Sequence, residues 1–492
     1  MSEDRSFIGK FTVLKGAVRE LWVIFGMKIL AIVAYGLVNS TLVLWLSKDL
    51  GYSDVRAGFV VATWSTFMTA FTVMVGSLVD AIGLRKAFLI GFGACILARG
   101  VMTFFLAPWM VMPLGLLPLA LGEALMTPVM VAAVKQYATT DQRSISFSLF
   151  YAMMNVGFAI SGWTFDRIRR TLGEYGHFVV PVLGADLSTY RTLILCGFLF
   201  TIPNLILVYF CLRGNVEVTD EGVKLKEEKP KYPGVDFLTA TYYAFRDALV
   251  SWGKIFGNLW TQPAFYRFLI FLTIVVGVRL IFYHFHYTYP KYGIRELGEG
   301  APIGRLFGVL NPVLIVILAP VVGALTQKFS AYKTVIIGSF VAACSVFFMA
   351  MPPAWFQGLA DGWLGDMIAH KWLDVDPAVA VNPLYVSIFI AVVLLSVGEA
   401  FYSPRLYEYP AAIAPKGQEA SYMALSLLPY FIAKFFVGSI SGFLLARYCP
   451  ETGPRNSQMI WLIVGLMALA TPVGLLVLKP FIQVHEAGRK AD

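Results

Sequence analysis

Twelve long apolar runs, at 20–47, 54–79, 87–108, 111–135, 143–166, 190–212, 265–289, 303–326, 333–352, 383–410, 420–446 and 457–479, leave this chain few ways to fold. Each is about as long as an α-helix must be to cross the hydrocarbon layer, roughly 20 residues. Of the 492 residues, 58% are hydrophobic and only 14% are charged, whereas a soluble domain is about a quarter charged. A transmembrane barrel would show short alternating segments instead. The sequence therefore predicts an all-α integral membrane protein with twelve transmembrane helices in two six-helix bundles.

The charges fit that reading. The net charge is +9, but the positive residues mostly flank the spans. They set topology and form no basic, aromatic-interleaved face for nucleic acid. The bias predicts a multi-pass protein of the cell membrane, inner or plasma, with both termini cytosolic. RIRR at 167–170 falls on the outer side and departs from the bias. The opening MSEDRSFIGKFTVLKG lacks the apolar core of a signal peptide. Five scattered cysteines form no CxxC or Cys/His cluster, so neither a disulfide framework nor a metal site is expected. Walker, GxSxG and HExxH motifs are missing. No catalytic residues and no cofactor are expected, and an ATP-driven pump within this chain is excluded.

A polar stretch at 213–234, RGNVEVTDEGVKLKEEKPKYPG, divides six spans from six. It is followed by VDFLTATYYAFRDALVSWGKIFGNLW, amphipathic and too polar to span, which predicts an interfacial helix. The organisation is a cytosolic segment 1–19, a six-helix bundle 20–212, a linker 213–264 with its amphipathic helix, a second bundle 265–480 and a tail 481–492. Residues 353–381 form an outer insertion with no legible role. The two halves share a loop. GSLVDAIGLRK at 76–86 matches GALTQKFSAYK at 323–333, with Gly76 on Gly323, Leu78 on Leu325 and Lys86 on Lys333. Repeated halves suggest a transporter with its site at the repeat interface.

GSLVDAIGLRK resembles the signature loop of the major facilitator superfamily. Gly76 would permit close helix approach and Gly83 a tight turn. Asp80, with Arg85 and Lys86, would form a contact that exists in one transport state and breaks in the other. Further stretches resemble the proton-dependent oligopeptide transporters: ELWVIFGMKIL at 20–30, FYAMMNVG at 150–157, VLNPVLIVILAP at 309–320 and GEAFYSPRLYEYPAAIAPKG at 398–417. The resemblance implies a proton-driven symporter with a central polar cavity. It places Lys28, Tyr151, Asn155, Asn311 and Glu399 among the solute-binding residues. A cation on one half and an anion on the other would clamp a zwitterion.

Several positions depart from the family pattern. Its first-span acid and base fall on Ala17 and Leu21, leaving Glu20; its paired tyrosines fall on Ile24 and Phe25; its span-four lysine falls on Thr127. Span seven carries Arg279 and no acid, and the bacterial members' additional helix pair is missing. A changed solute pocket follows.

The buried charges suggest further roles. Glu20, Glu123 and Glu399 are candidate proton carriers. Glu20 either titrates or sits solvated at the interface, and Glu123 is placed to pair with Lys28. Arg279, mid-span with no acid one turn away, calls for a distant partner or an anionic solute. Arg99 and Lys434 are further buried cations. Arg405 and Glu408 are expected to pair along one helix. His284 and His286, among tyrosines, read as an aromatic belt at the membrane interface. Pro404 and Pro410 are expected to bend or loosen span ten.

The expectation is a monomeric secondary transporter, in the lipid bilayer, of a small peptide-like, amino-acid-like or zwitterionic solute, with a proton gradient as its driving force. An uncoupled facilitator or exporter of an anionic or amphipathic compound is the alternative. A non-transporting receptor on the same fold is a second.

Overall fold

The computed structural model describes residues 12–482 apart from 182, 214–215, 220–221, 226–231, 233, 261–262, 327–328 and 414–427. The spans of the first half are the helices Arg19–Lys48, Asp54–Ile82, Leu84–Phe104, Pro108–Tyr137, Thr140–Leu172 and Thr189–Cys211. Those of the second are Pro263–Tyr287, Leu310–Leu325 led in by a π turn at Arg305–Val309, Ala331–Ala350, Pro383–Ile413, Leu428–Tyr448 and Gln458–Val477. Helix is the only open-ended structure that satisfies every backbone polar group within hydrocarbon. The chain is an all-α membrane protein: among the described residues ten of these helices are long and apolar enough to cross a membrane, and Asp54–Ile82 and Leu428–Tyr448 stand where the other two expected spans fall.

Local chemistry sets the helix ends. Ser53 Oγ accepts the Arg56 N–H at 3.3 Å and starts span two. Thr139 and Gln142 exchange side-chain and backbone hydrogen bonds, both 3.3 Å, in a capping box that starts span five. Ser330 Oγ accepts the Lys333 N–H at 3.2 Å and starts span nine. Gly83, at φ +83°, is the single residue that parts span two from span three. A side chain there would be strained.

The chain forms two compact units. One comprises Met1–Val38, Phe67–Ile160 and Arg191–Gly253; the other comprises Asn39–Thr66, Ser161–Tyr190 and Lys254–Asp492. In the first, spans three and four pack through Gly91 and Gly122. A methyl on Gly122 would stand 2.7 Å from the Gly91 carbonyl. In the second, span nine lies along spans ten and twelve, with Gly338 against the Gly398 carbonyl at the same 2.7 Å. That unit also holds the ends of spans one, two and five farthest from the termini, called here the far end. Gly58 of span two faces Gly438 of span eleven, and Gly162 of span five faces Gly304 and Gly308. Small residues allow helices to touch where lipid gives no hydrophobic drive.

Three features were not legible in sequence. A hairpin of His177–Val179 and Asp186–Ser188 joins spans five and six. A second, Val216–Thr219 with Gly222–Leu225, lies in the linker that reads as merely polar. The outer insertion folds as short helical turns from Pro353 to Trp372. The linker's amphipathic helix forms as expected, at Phe237–Leu259. Span ten stays helical through Pro404 and Pro410 and does not end at either. Each proline removes one donor, which the remaining ladder tolerates.

The glycine contacts make a prediction. A methyl on Gly438 would lie 2.6 Å from Ala62 Cα, a backbone atom that cannot rotate away. Gly438→Leu should therefore cost about 1–3 kcal/mol, read as a lower melting temperature of the purified protein. An unchanged melting temperature would contradict this packing.

Candidate functional site

In the first unit, Lys28 of span one is almost fully buried. Its Nζ donates to Thr127 Oγ1 at 3.3 Å and sits 4.4 Å from the Phe150 ring centroid. Thr127 stands where the family pattern has lysine, so one cation now has an uncharged neighbour in place of a second cation. Asn155 Nδ2 donates to the Tyr151 carbonyl at 3.0 Å, one turn back on span five. The Tyr151 side chain is about one-third exposed.

Glu123 acts on Lys28 through its charge, but its ion pair is with another cation. Its partner is Arg99 of span three, in an ion pair buried on both sides, and Arg99 Nη1 also donates to Thr201 Oγ1 at 2.7 Å. The Gly91–Gly122 approach puts spans three and four in contact, so Arg99 is Glu123's immediate neighbour. Glu20 lies at the surface end of span one, covered by the exposed arginines Arg213 and Arg19. It is fully buried and accepts from Arg213 Nε, with Arg19 Nη2 at 3.8 Å. Arg213 lies 193 positions away, beyond the reach of any local pattern.

The expected latch is described in part. Arg85 Nη2 donates to the Tyr209 carbonyl at 2.6 Å, and Lys86 is exposed. Gly76 and Asp80 lie within span two, but the Asp80 side chain is outside the described residues. So are the Glu408 side chain and the turn at 415–417. Arg405 Nη2 donates to the Thr326 carbonyl and Oγ1 at 3.3 and 3.2 Å. It therefore ties span ten to the end of span eight.

In the second unit, Asn311 of span eight donates to Glu399 Oε2 at 2.9 Å and to Ser396 Oγ at 3.0 Å. Two positions singled out on different helices thus meet. Arg279 acts on the Glu399 carboxylate and lies 5.5 Å over the Tyr402 ring. His284 and His286 form no interfacial belt. Both are buried, His284 bonded to Thr288 Oγ1 at 2.7 Å and His286 to the Phe282 carbonyl at 2.9 Å. Phe282 and Phe307 pack against His286, and Phe307 stacks in turn on Phe285, which meets Trp461. This aromatic packing recruits the rings to the protein interior. Among the described residues, no group of His, Cys, Asp and Glu could hold a metal ion.

Sequence reasoning missed the charged layer at the far end, all within the second unit. Asp54, opening span two, accepts from Lys291 at 2.7 Å and from Arg295 at 2.9 and 3.0 Å. Both cations lie on the short helix Tyr289–Leu297 after span seven. Arg295 also donates to the Cys449 carbonyl at 2.7 Å. Asp166 of span five accepts the backbone N–H groups of Gly304 and Arg305 at 2.8 and 2.6 Å. It thereby caps the N-terminus of span eight from another helix, where negative charge is favoured. Arg170 donates to the Leu373 carbonyl at 2.7 Å and to the Asp374 carbonyl at 3.2 Å, and Arg305 donates to the Trp372 carbonyl at 3.2 Å. The outer insertion therefore clasps spans five and eight. The signal was present in RIRR: its break with the charge bias marks residues with partners.

Arg169 is fully buried between Asp166 and Glu174 and also donates to the Ala301 carbonyl at 3.1 Å. Glu174, in the loop after span five, also accepts from Tyr190 and from the Gly300 N–H at 3.2 Å. Burial pushes the Glu174 carboxyl up, but the Arg169 charge and these hydrogen bonds outweigh it. The net direction is down from its ordinary value of 4.5. A depressed folded-state value stabilises above about pH 4.5 and is lost as pH falls through the lower, folded value. Glu174→Gln should cost about 3 kcal/mol at pH 7 by removing the closer of the two carboxylates that face buried Arg169. It should also weaken the fall in melting temperature below pH 4.5; an identical acid limb in the variant would contradict the pairing.

A family model described as Major Facilitator Superfamily matches residues 24–368. No curated protein matches the sequence. Among solved structures, a POT family transporter in complex with 5-aminolevulinic acid is similar, with a TM-score of 0.69 and 16% identity over 98% of each chain. A POT family transporter in complex with a thioalcohol-conjugated peptide has a TM-score of 0.67 and 18% identity, covering 95% of this chain and 97% of that one. A peptide transporter POT in complex with sulfate has a TM-score of 0.65 and 16% identity, over 94% and 95%.

Proposed function

The chain belongs to the major facilitator superfamily and is a multi-pass membrane transporter; from that premise we propose that it is a proton-coupled symporter of a small peptide-like, amino-acid-like or zwitterionic solute. The observation that carries this reading is the Asn311–Glu399 hydrogen bond, with Arg279 beside it, on spans eight, ten and seven. A carboxylate inside a membrane protein usually serves a pathway or a proton. Glu20 and Glu123 already face guanidinium groups that balance them. Glu399 accepts its hydrogen bond from a neutral amide, with the Arg279 charge acting on it, and this supports it as the candidate carrier. The solutes of the similar structures, a peptide conjugate and an amino acid, support this class. The same reading puts a monomer in the inner or plasma membrane, with both termini cytosolic and no cofactor.

In proteoliposomes, an inward proton gradient should raise uptake by the wild type several-fold. Glu399→Gln should abolish that response while keeping exchange of solute. Gradient-independent uptake by both proteins would remove proton coupling and favour the facilitator reading.

Alternating access would require the far-end contacts to form in one state and break in another. Asp54 is the acceptor that joins span two to both Lys291 and Arg295. Ser441, buried on span eleven beside Gly442, reports on this region. In a background with the native cysteines replaced, Ser441→Cys should react with a thiol reagent several-fold faster once Asp54→Asn is added. Equal labelling rates would rule out Asp54 as a gate residue.

A further inference from the structure

Asp166, on span five, is 1% exposed, and the hydrogen bonds it accepts come from the backbone N–H groups of Gly304 and Arg305 at 2.8 and 2.6 Å. These donors are neutral. The cations facing it stand farther off, Arg169 Nη1 at 3.5 Å and Arg305 Nε at 3.8 Å. Both are shared. Arg169 gives Nε at 3.1 Å and also Nη2 to Glu174, which accepts from Tyr190 and the Gly300 N–H as well. Arg305 donates to the Trp372 carbonyl. Arg170 is turned to the Leu373 and Asp374 carbonyls and the Asp374 carboxylate. Of the two carboxylates on Arg169, Asp166 is therefore the less tightly held. Carboxylates that share one site favour a proton on one of them.

The Asp166 charge also acts on Tyr289, in the short helix after span seven, and on Tyr385 of span ten. The Tyr289 hydroxyl is buried and has no hydrogen-bond partner among the described residues. A hydroxyl both donates and accepts. An unmet one in the field of a buried carboxylate is spare capacity where a proton would arrive.

What Asp166 holds is the start of span eight. A carboxylate there is favoured by the helix dipole. A protonated carboxyl loses that attraction, and one of its oxygens becomes a donor facing two backbone donors. The contact leaves no slack, since a methyl on Gly304 would stand 2.9 Å from Asp166 Oδ1 and 2.5 Å from the Gly162 carbonyl. Span eight opens with the π turn Arg305–Val309, a register found mostly at functional sites. Asn311 follows Arg305 at roughly 9 Å along the helix and donates to Glu399. Span eight therefore joins Asp166 to the Glu399 site.

We propose that Asp166 is a second proton-binding site of the transporter, where a proton from the far-end solution releases span eight from span five. The proton joins one carboxylate oxygen and the two amides lose their charged acceptor. Arg169 keeps Glu174, so release strands no buried cation. The proton comes from water and returns to water, and no other reactant is needed. This rests on the transporter reading above and adds to it a proton site at the end of the spans away from the termini.

The test is a spin-label distance measurement on the purified full-length protein in nanodiscs. The labels sit on Arg167→Cys of span five and Glu299→Cys before span eight, both exposed, in a background with the native cysteines replaced. His177→Gln is included throughout, because histidine ordinarily titrates near neutral pH. From about pH 8 to about pH 5, above the range in which Glu174 gives way, the wild-type distances should gain a longer component several-fold. Asp166→Asn should show that component at both pH values, without a pH response, and Asp166→Glu should restore the response with a moved midpoint. An equal response in wild type and Asp166→Asn overturns the proposal, as does a wild type without one. If Asp166→Asn fails to fold, Asp166→Glu decides, and an unmoved midpoint overturns it. In proteoliposomes, Asp166→Asn should also flatten the dependence of Ala-Ala uptake on external pH. Proton-driven uptake with an unchanged pH profile in Asp166→Asn sinks this site and keeps the transport reading. A pH response of the labels without Ala-Ala flux keeps the site and counts against that reading.

Discussion

The cost of placing charge in hydrocarbon organises this protein. Among the described residues, several buried ions are matched by a countercharge from another helix. Arg99 with Glu123 is such a pair, and Arg213 meets Glu20. They fix which spans are neighbours within the first unit. Asp54, Asp166 and Arg169 do the same at the far end. In the second-half spans, Asn311 and Arg279 meet the Glu399 carboxylate from two other helices.

The span pattern was legible because it is local. Twenty apolar residues report on themselves, and a Thr–Gln capping box or a glycine turn needs only its neighbours. The loop repeat and the spread of motifs carried the family for the same reason. The meeting of Asn311 with Glu399 was implied only through resemblance, since no spacing relates spans eight and ten. Partner choice was not legible. That Glu123 bonds Arg99 depends on spans three and four touching, and they touch at two glycines, Gly91 and Gly122, without charge or motif value. The histidines show the same limit. Their tyrosine-rich context suits a membrane interface and a buried aromatic cluster equally, and Phe307, from a distant segment, packs on His286 and decides between them.

The outer insertion shows how function can hide in an unpatterned segment. Its contribution comes through carbonyls: Trp372, Leu373 and Asp374 present backbone oxygens to Arg305 and Arg170. Asp374 reaches this geometry at φ +59°, unusual for a residue with a side chain. Backbone acceptors leave no signature in composition. The basic cluster they answer does leave one, in its conflict with the topology rule.

The boundary of the compact units has its own consequence. It crosses spans one, two and five at Val38/Asn39, Thr66/Phe67 and Ile160/Ser161, each inside an unbroken helix. A 30-residue helix is about 45 Å long, and its stiffness resists a break at such a point. Each of these three helices therefore runs without a chain break from one compact unit into the other.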